Sequence, residues 1–187
     1  VAAGGRRRDA LVGDDLVEAQ TGQAGPTSAE VYDLYPVLNA SGALYVDAAS
    51  FEPRAVAVRE HGVVPTLSVN PNYLRAFPIL DATGSPVQVS EHETDWVLLV
   101  PESERARERE IVAQVRTGRF GASGSQGALQ AEPLVFGREP SASVAAQGIR
   151  IIWTRPGQSV FAFNPEVAPE QGNAVTDPVV QVLTLAN

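Results

Sequence analysis

The stretch from Ser90 to Asp95 holds the densest set of potential metal ligands in the sequence, with one imidazole and three carboxylates in six positions. Successive side chains of an extended segment point to opposite sides, so His92 shares a side with Ser90 and Thr94 rather than with the carboxylates. His61 is the only other histidine, and zinc sites built mainly from carboxylates are uncommon. We therefore predict a solvated acidic loop and assign no metal ligand.

Two further segments could supply catalytic groups. Gly121 to Ser125 reads Gly-Ala-Ser-Gly-Ser, which resembles a nucleophile elbow but lacks its final glycine and a preceding strand. The run from Glu102 to Glu110 is rich in carboxylates, but it is typical of a solvated helix face, and no pair stands out for glycoside hydrolysis. We predict a flexible loop and a surface helix here, with no catalytic and no cofactor-binding residue.

Composition excludes several classes of function. A net charge of −8 argues against nucleic-acid binding and against tight binding to anionic lipids. The sequence contains no cysteine and no lysine, which excludes thiol nucleophiles, cysteine metal sites and the lysine of a phosphate-binding P-loop. No apolar run is long enough to span a membrane. The sequence has no methionine, and we expect it to be a piece of a longer or processed protein.

The first part of the chain divides into an arm and the start of a folded domain. Residues 1–26 are predicted to form an N-terminal arm, and residues 27–187 one domain. Thr27 to Glu30 fits a capping box, which predicts a short or kinked helix that contains Pro36 and ends before Gly42. A strand is predicted from Ala43 to Ala48.

The next elements are predicted from cap and strand patterns. Val63 to Val69 is extended, Asn70 is a candidate N-cap, and Asn72 to Phe77 should form a short helix whose first turn accommodates a proline. Ile79 to Ser90 is typical of a hairpin, and the continuous apolar run from Trp96 to Val100 of a buried strand.

The rest of the chain gives one helix and three strands. Ser103 to Arg116 is predicted to be a helix with Ile111, Val112 and Val115 on its apolar side and with Glu104 able to pair with Arg107, or Arg105 with Glu108. Gly118 to Gly127 is predicted to be a flexible loop. Ile149 to Phe163 should form a hairpin around Pro156-Gly157, with Trp153 opposite Val160. Ile152, Phe161 and Phe163 should lie together on the other side of this hairpin. We interpret its aromatic residues as core, with Trp153 and Phe161 buried. The last strand should run from Val179 to Leu185. This mixture without a βαβ repeat predicts an α+β fold, a mixed sheet with a few packed helices.

Five short stretches occur in an order that resembles one family, the extracellular domain of bacteriocin-associated integral membrane proteins. These are permease-like proteins of the FtsX type that work with an ABC ATPase. The resemblance covers about residues 30–187, and the stretches that carry it are Val69–Leu74, Leu98–Glu102, Ile151–Trp153, Phe163–Pro165 and Asp177–Thr184.

The resemblance implies a non-catalytic domain on the extracytoplasmic side of the cell membrane, between two membrane helices that lie outside this chain. It implies a cytosolic ABC ATPase as the partner of the full-length protein, an external peptide, lipoprotein or protein partner, and a context of bacteriocin export or immunity. Both ends of the domain should then lie on one side, with Gly118 to Gly127 or another loop at the opposite tip. The alternatives are a secreted or cell-surface hydrolase and a soluble ligand-binding module.

Overall fold

A five-stranded mixed sheet with the order β1-β2-β7-β3-β4 organises the fold. The structure, a computed structural model, describes residues 34–59, 62–120 and 147–186. The strands of this sheet are β1 (Val46–Asp47), β2 (Thr66–Val69), β3 (Trp96–Pro101), β4 (Ile149–Thr154) and β7 (Val179–Val182). A separate two-stranded sheet pairs β5 (Ser159–Phe161) with β6 (Ala174–Thr176).

The described ranges also contain four α-helices and three short 3-10 helices. The α-helices are α1 (residues 34–40), α2 (Pro53–Val58), α3 (Pro71–Ala76) and α4 (Glu108–Phe120). The 3-10 helices are Ala49–Phe51, Glu102–Arg107 and Pro169–Gln171. The predicted α+β fold, a mixed sheet with a few helices packed on it, is confirmed.

Strand β7 lies at the centre of the sheet, parallel to β2 and antiparallel to β3. Strand β3 in turn pairs in parallel with β4, and β1 closes the other edge antiparallel to β2. From Val97 to Val100 each β3 side chain is at most 1% exposed. Burial on both faces is the reason that this strand is a continuous apolar run.

Hydrophobic side chains cover both faces of the sheet. One face packs against α3, the segment 79–89 and β5, and its central residues are Leu67, Val97, Leu99 and Val180. The other face presents Leu98, Val100 and Val179 to Ile111 and Val115 of α4. The predicted helix therefore buries two of the three side chains expected on its apolar side, and Val112 is half-buried.

The predicted helix from Ser103 to Arg116 is present, but its first part is tighter than an α-helix. Side chains three residues apart eclipse in a 3-10 helix, which aligns the ion pairs of Glu102 with Arg105 at 3.0 Å and of Glu104 with Arg107 at 3.1 Å. The predicted pair of Glu104 and Arg107 is confirmed. Arg105 pairs with Glu102 and also lies 4.4 Å from the centroid of the Trp153 ring.

The predicted hairpin from Ile149 to Phe163 is wrong. Strand β4 pairs in parallel with β3, and β5 pairs with β6 in the other sheet. Gly157 does take a positive φ of 79° in the predicted turn. The edge of β4 beside that turn is occupied, because Ala82 donates to the Trp153 carbonyl at 2.9 Å and Arg155 donates to the Leu80 carbonyl at 3.0 Å. The chain after the turn therefore pairs elsewhere.

Trp153 and Phe161 were expected in the core, and both are only half-buried. Trp153 packs against the core on the α4 side, whereas Phe161 packs with surface rings, so the expectation is wrong for Phe161. Val160 and Ala162 occupy the core positions instead, at 3% and 2% exposure. The alternation of strand side chains was foreseen, but β5 packs through its smaller residues.

Three other segments differ from the predictions in extent. The turn at Ile79 to Ser90 closes through a single antiparallel bridge between Leu80 and Pro86, and the strand from Ala43 to Ala48 is reduced to β1. Strand β7 ends at Val182 rather than at Leu185. The 1–26 arm, the capping box and most of the Gly118 to Gly127 loop lie outside the described residues.

Candidate functional site

The turn from β2 into α3 is built on Asn70, as the sequence predicted. Its side-chain Oδ1 accepts from the backbone N–H of Tyr73 at 3.0 Å, which makes Asn70 the N-cap, and Pro71 occupies the first turn. The same oxygen accepts from the N–H of Tyr45 at 3.0 Å. The Asn70 side chain, which is 1% exposed, thus links the first turn of α3 to Tyr45, the residue before β1.

Two more buried asparagines surround Asn70, and the three together are called the amide network: Asn39, Asn70 and Asn72. Asn70 Nδ2 donates to Asn39 Oδ1 at 2.8 Å and to the Ala43 carbonyl at 2.8 Å. Asn72 Nδ2 donates to the Asn39 carbonyl at 2.8 Å and to the same Ala43 carbonyl at 2.9 Å. The network anchors α1 and the segment after it to the end of β2.

Charged side chains close the amide network at the surface. Asn39 Nδ2 donates to Glu91 at 2.7 Å, and Arg75 forms an ion pair with Glu91 at 3.3 Å while donating to Asn72. These groups are paired with one another, so the network positions α3 rather than presenting reactive atoms.

At the C-terminal end of α3 three phenylalanine rings form a cluster at the surface. The aromatic cluster consists of Phe77, Phe161 and Phe163. The centroids of Phe161 and Phe163 are 4.5 Å apart and those of Phe77 and Phe163 are 5.5 Å apart, both pairs in edge-to-face geometry. Phe77 is 40% exposed and Phe163 49% exposed. Large apolar side chains in contact with each other and with water are typical of an interaction surface.

Tyr73 supports the aromatic cluster from below. Its ring is stacked on Phe77 at 5.2 Å and meets Phe163 edge to face at 6.3 Å. Its hydroxyl donates to the Phe161 carbonyl at 2.9 Å. Burial raises the pKa of this hydroxyl to about 12, so the hydrogen bond is kept throughout the neutral pH range.

Phe163 is held in an unfavourable backbone conformation. Its φ is +52°, a region that costs an L-residue other than Gly, Asn or Asp about 1–2 kcal/mol. Residues that retain such strain cluster at ligand-binding and switch sites. The conformation places a large apolar ring at the surface.

An acidic depression adjoins the aromatic cluster and shares Phe163 with it. It has a volume of about 350 Å³ and lies between the β1 region and residues 162–165, with Asp47 and Glu52 in its lining. Glu52 accepts from Asn164 Nδ2 at 2.8 Å, and Asp47 accepts from the N–H of Ala49 at 2.9 Å. Among the described residues neither carboxylate has an ion-pair partner.

The Ser90 to Asp95 segment is not gathered into one site. Glu91 pairs with Arg75, whereas Glu93 pairs with Arg150 at 2.5 Å. His92 is exposed, and its backbone N–H donates to the Ser90 hydroxyl. No group of three potential metal-ligating side chains occurs among the residues that the structure describes. Gly121 to Ser125 and His61 lie outside them.

A wider cleft of about 670 Å³ lies on the α4 side of the sheet. Its lining includes Trp96, Gln114 and Gln181, and none of the described residues that line it is acidic or basic. Gln181 donates to Thr66 at 2.8 Å, and both amide atoms of Gln114 bond to the backbone of Val64. The amide groups in this cleft are therefore engaged in holding the fold together.

Sequence reasoning placed Phe161 and Phe163 on one side of a strand but interpreted them as core. Phe77 was only the end of a predicted helix. The spacing of Phe161 and Phe163 was the available signal, and the contact with α3 required the tertiary structure.

Comparison of the chain with protein-family models, with curated proteins and with solved structures found no match. None of the helices in the described parts of the chain has the length and apolar character needed to cross a membrane.

Proposed function

We propose that this chain is the extracytoplasmic domain of an ABC-type permease, a non-catalytic part that couples a cytosolic ATPase to an external peptide, lipoprotein or protein partner. The proposal starts from the ordered resemblance in the sequence. In that arrangement the domain stands between two membrane helices, and the context is the export of, or immunity to, a bacteriocin-like peptide.

The observation that carries the proposal is the meeting of the first and last described segments. The hydroxyl of Tyr35 in α1 donates to the Leu183 carbonyl, just after β7, at 2.8 Å. The backbone N–H of Leu185 then donates to the Glu91 carbonyl at 3.1 Å, and the Gln147 side chain donates to the Ala186 carbonyl at 3.2 Å. Both segments lie at the end of the sheet where the parallel strands β2 and β7 finish. A domain inserted between two membrane helices needs this proximity, although the ends of many single domains are close.

The geometry also supports a binding role over a catalytic one. In the Ser90 to Asp95 segment, Glu91 and Glu93 are engaged in separate ion pairs. The exposed rings of the aromatic cluster, by contrast, lie together. Surfaces of this kind bind partners, and an alternative hydrolase would require a constellation that the sequence does not indicate.

Site-directed labelling can test the location, because the chain has no cysteine. The full-length gene product would be expressed in its own host with any cysteines outside this chain replaced. Cells carrying Ser159→Cys, an exposed position, would be treated with a membrane-impermeant maleimide. Leu67→Cys, at a fully buried position, is the control.

Labelling of the Ser159→Cys protein in intact cells is expected, and the Leu67→Cys protein should react only after denaturation. An ATPase should also co-purify with the full-length product in detergent. Reaction of the Ser159→Cys protein only after cell lysis, or release of the product into the medium, would overturn the proposal. Release into the medium would favour the secreted hydrolase or ligand-binding module.

A further inference from the structure

We propose that the aromatic cluster and the acidic depression form one docking site for a polypeptide segment that carries an apolar side chain next to an arginine or a lysine. The inference gives a chemistry to the external partner and rests on the proposed function in that respect. Binding to the isolated chain can nevertheless be measured without the membrane protein, so the two can fail separately.

The two halves of the site are continuous because Phe163 belongs to both. Its ring contacts Phe77 and Phe161 on one side, and the same residue lines the depression with Asp47 and Glu52 on the other. A ligand that lies across Phe163 therefore meets apolar rings first and carboxylates next.

The apolar half fits the side chain of a partner. Phe77 is 40% and Phe163 49% exposed, and the edge-to-face packing of Phe163 against the other two rings leaves ring faces and edges for further aromatic or aliphatic contacts. Aromatic side chains that are held rigidly are the common anchors of protein interfaces. Tyr73 and its hydrogen bond to Phe161 supply that rigidity.

The acidic half fits a cation. Glu52 and Asp47 have no ion-pair partner within the described ranges, and Arg59 of the adjoining helix end is directed to the Ser50 carbonyl and the Phe51 ring instead. The negative charge of Asp47 is also felt by Tyr45, whose pKa is raised by burial first and by this carboxylate second. A net charge of −8 for the whole chain adds a long-range attraction for a basic partner.

The strain at Phe163 gives independent support. The left-handed conformation places this ring against Phe77 and Phe161 while about half of its surface stays exposed. Bulky residues that retain such strain are concentrated at ligand-binding sites.

A phage library of random dodecapeptides would be panned on the immobilised 187-residue chain, and the selected peptides would be resynthesised with a fluorophore for anisotropy titrations. We expect selected sequences to share an aromatic or branched apolar residue beside Arg or Lys, with affinity that falls as salt is raised. Phe163→Ala should weaken binding about tenfold, and Phe77→Ser should act in the same direction.

The charge arm uses substitutions that keep the hydrogen bonds. Glu52→Gln and Asp47→Asn retain an acceptor oxygen and should each weaken binding about threefold to fivefold, as expected for an exposed charge pair. Glu108→Gln makes the same change of net charge at an exposed site on α4 and should leave affinity unchanged. Circular dichroism would confirm that each variant is folded, and Phe163→Gly replaces Phe163→Ala if the latter is not.

Several results would overturn the inference. They are the absence of any enriched peptide, enrichment without basic residues, equal affinity for the Phe163 variants and the wild type, and equal effects of Glu52→Gln and Glu108→Gln. Binding that occurs only after residues 1–26 are deleted would assign the site to the chain's own N-terminal arm, and concentration-dependent dimers lost in the Phe163 variants would assign it to a second copy.

Discussion

Replacement of Asn70, the most deeply buried asparagine of the amide network, by alanine should strongly destabilise the fold. The Asn70 side chain makes four hydrogen bonds, to Tyr45, Tyr73, Asn39 and the Ala43 carbonyl. At about 1 kcal/mol each, their loss amounts to about 4 kcal/mol of a total stability of about 5–15 kcal/mol. Urea unfolding followed by tryptophan fluorescence should show a midpoint lower by about 2 M, for a slope of about 2 kcal/mol per M.

Asn70→Asp tests the reasoning through its pH dependence. A carboxylate keeps the acceptor for Tyr45 and Tyr73 but sets an oxygen against Asn39 Oδ1 and the Ala43 carbonyl, so burial and repulsion should raise its pKa. A raised pKa of an acid means that stability is lost as pH rises through the folded-state value. The variant should therefore approach the wild type at acidic pH, where a protonated carboxyl can donate one of the lost bonds.

A matched control for these variants is Asn164→Ala. Asn164 is half-buried and makes two hydrogen bonds, with Glu52 and the N–H of Glu166, so its replacement should cost about 2 kcal/mol, half of the cost expected for Asn70→Ala. A cost below about 1 kcal/mol for Asn70→Ala, or an Asn70→Asp variant that gains nothing at acidic pH, would refute the role assigned to the network.

Other predictions follow from single contacts. Phe163→Gly should be about 1 kcal/mol more stable than Phe163→Ala in urea, because glycine accepts the positive φ; equal midpoints would contradict the strain. The wild type should lose stability as pH rises from 10 to 12, because the Tyr73 pKa is raised from 10.0 to about 12, and Tyr73→Phe should lose less; identical profiles would count against the buried hydroxyl. Gln158→Ala should cost about 2 kcal/mol, since its amide bonds both backbone atoms of Leu80 and the carbonyl of Arg155; thermal melting at an unchanged temperature would disprove this. Dialysed protein should contain no stoichiometric zinc by elemental analysis, and zinc lost in His92→Ala would contradict this.

Local signals in the sequence predicted local structure well. Asn70 and Pro71 identified the start of α3, and the apolar run from Trp96 identified β3, because caps and continuous burial act over a few residues. The pairing of β4 could not be predicted in this way. Its turn at Pro156-Gly157 is compatible with a hairpin, but the competing hydrogen bonds come from Leu80 and Ala82, far away in the sequence.

The candidate site illustrates the same limit. Phe161 and Phe163 were predicted on one side of an extended segment, and their rings are in contact although Phe163 lies beyond the end of β5. Whether such a pair faces the core depends on how β5 packs. Val160 and Ala162 fill the space next to the sheet, which turns the larger rings toward solvent and α3. The depression beside Glu52 joins residues 45–52 to residues 162–165, two parts of the chain that are far apart in sequence, a proximity that no spacing in the sequence encodes.

The central position of β7 bears on the order in which the domain can assemble during synthesis. Of the strands in the sheet, β7 leaves the ribosome last, yet it alone joins the β1-β2 pair to the β3-β4 pair. Until its residues emerge, the nascent chain can form two separate strand pairs with exposed edges but not the sheet. Formation of the five-stranded sheet is therefore deferred until β7 has been translated, whatever the order in which the two strand pairs form.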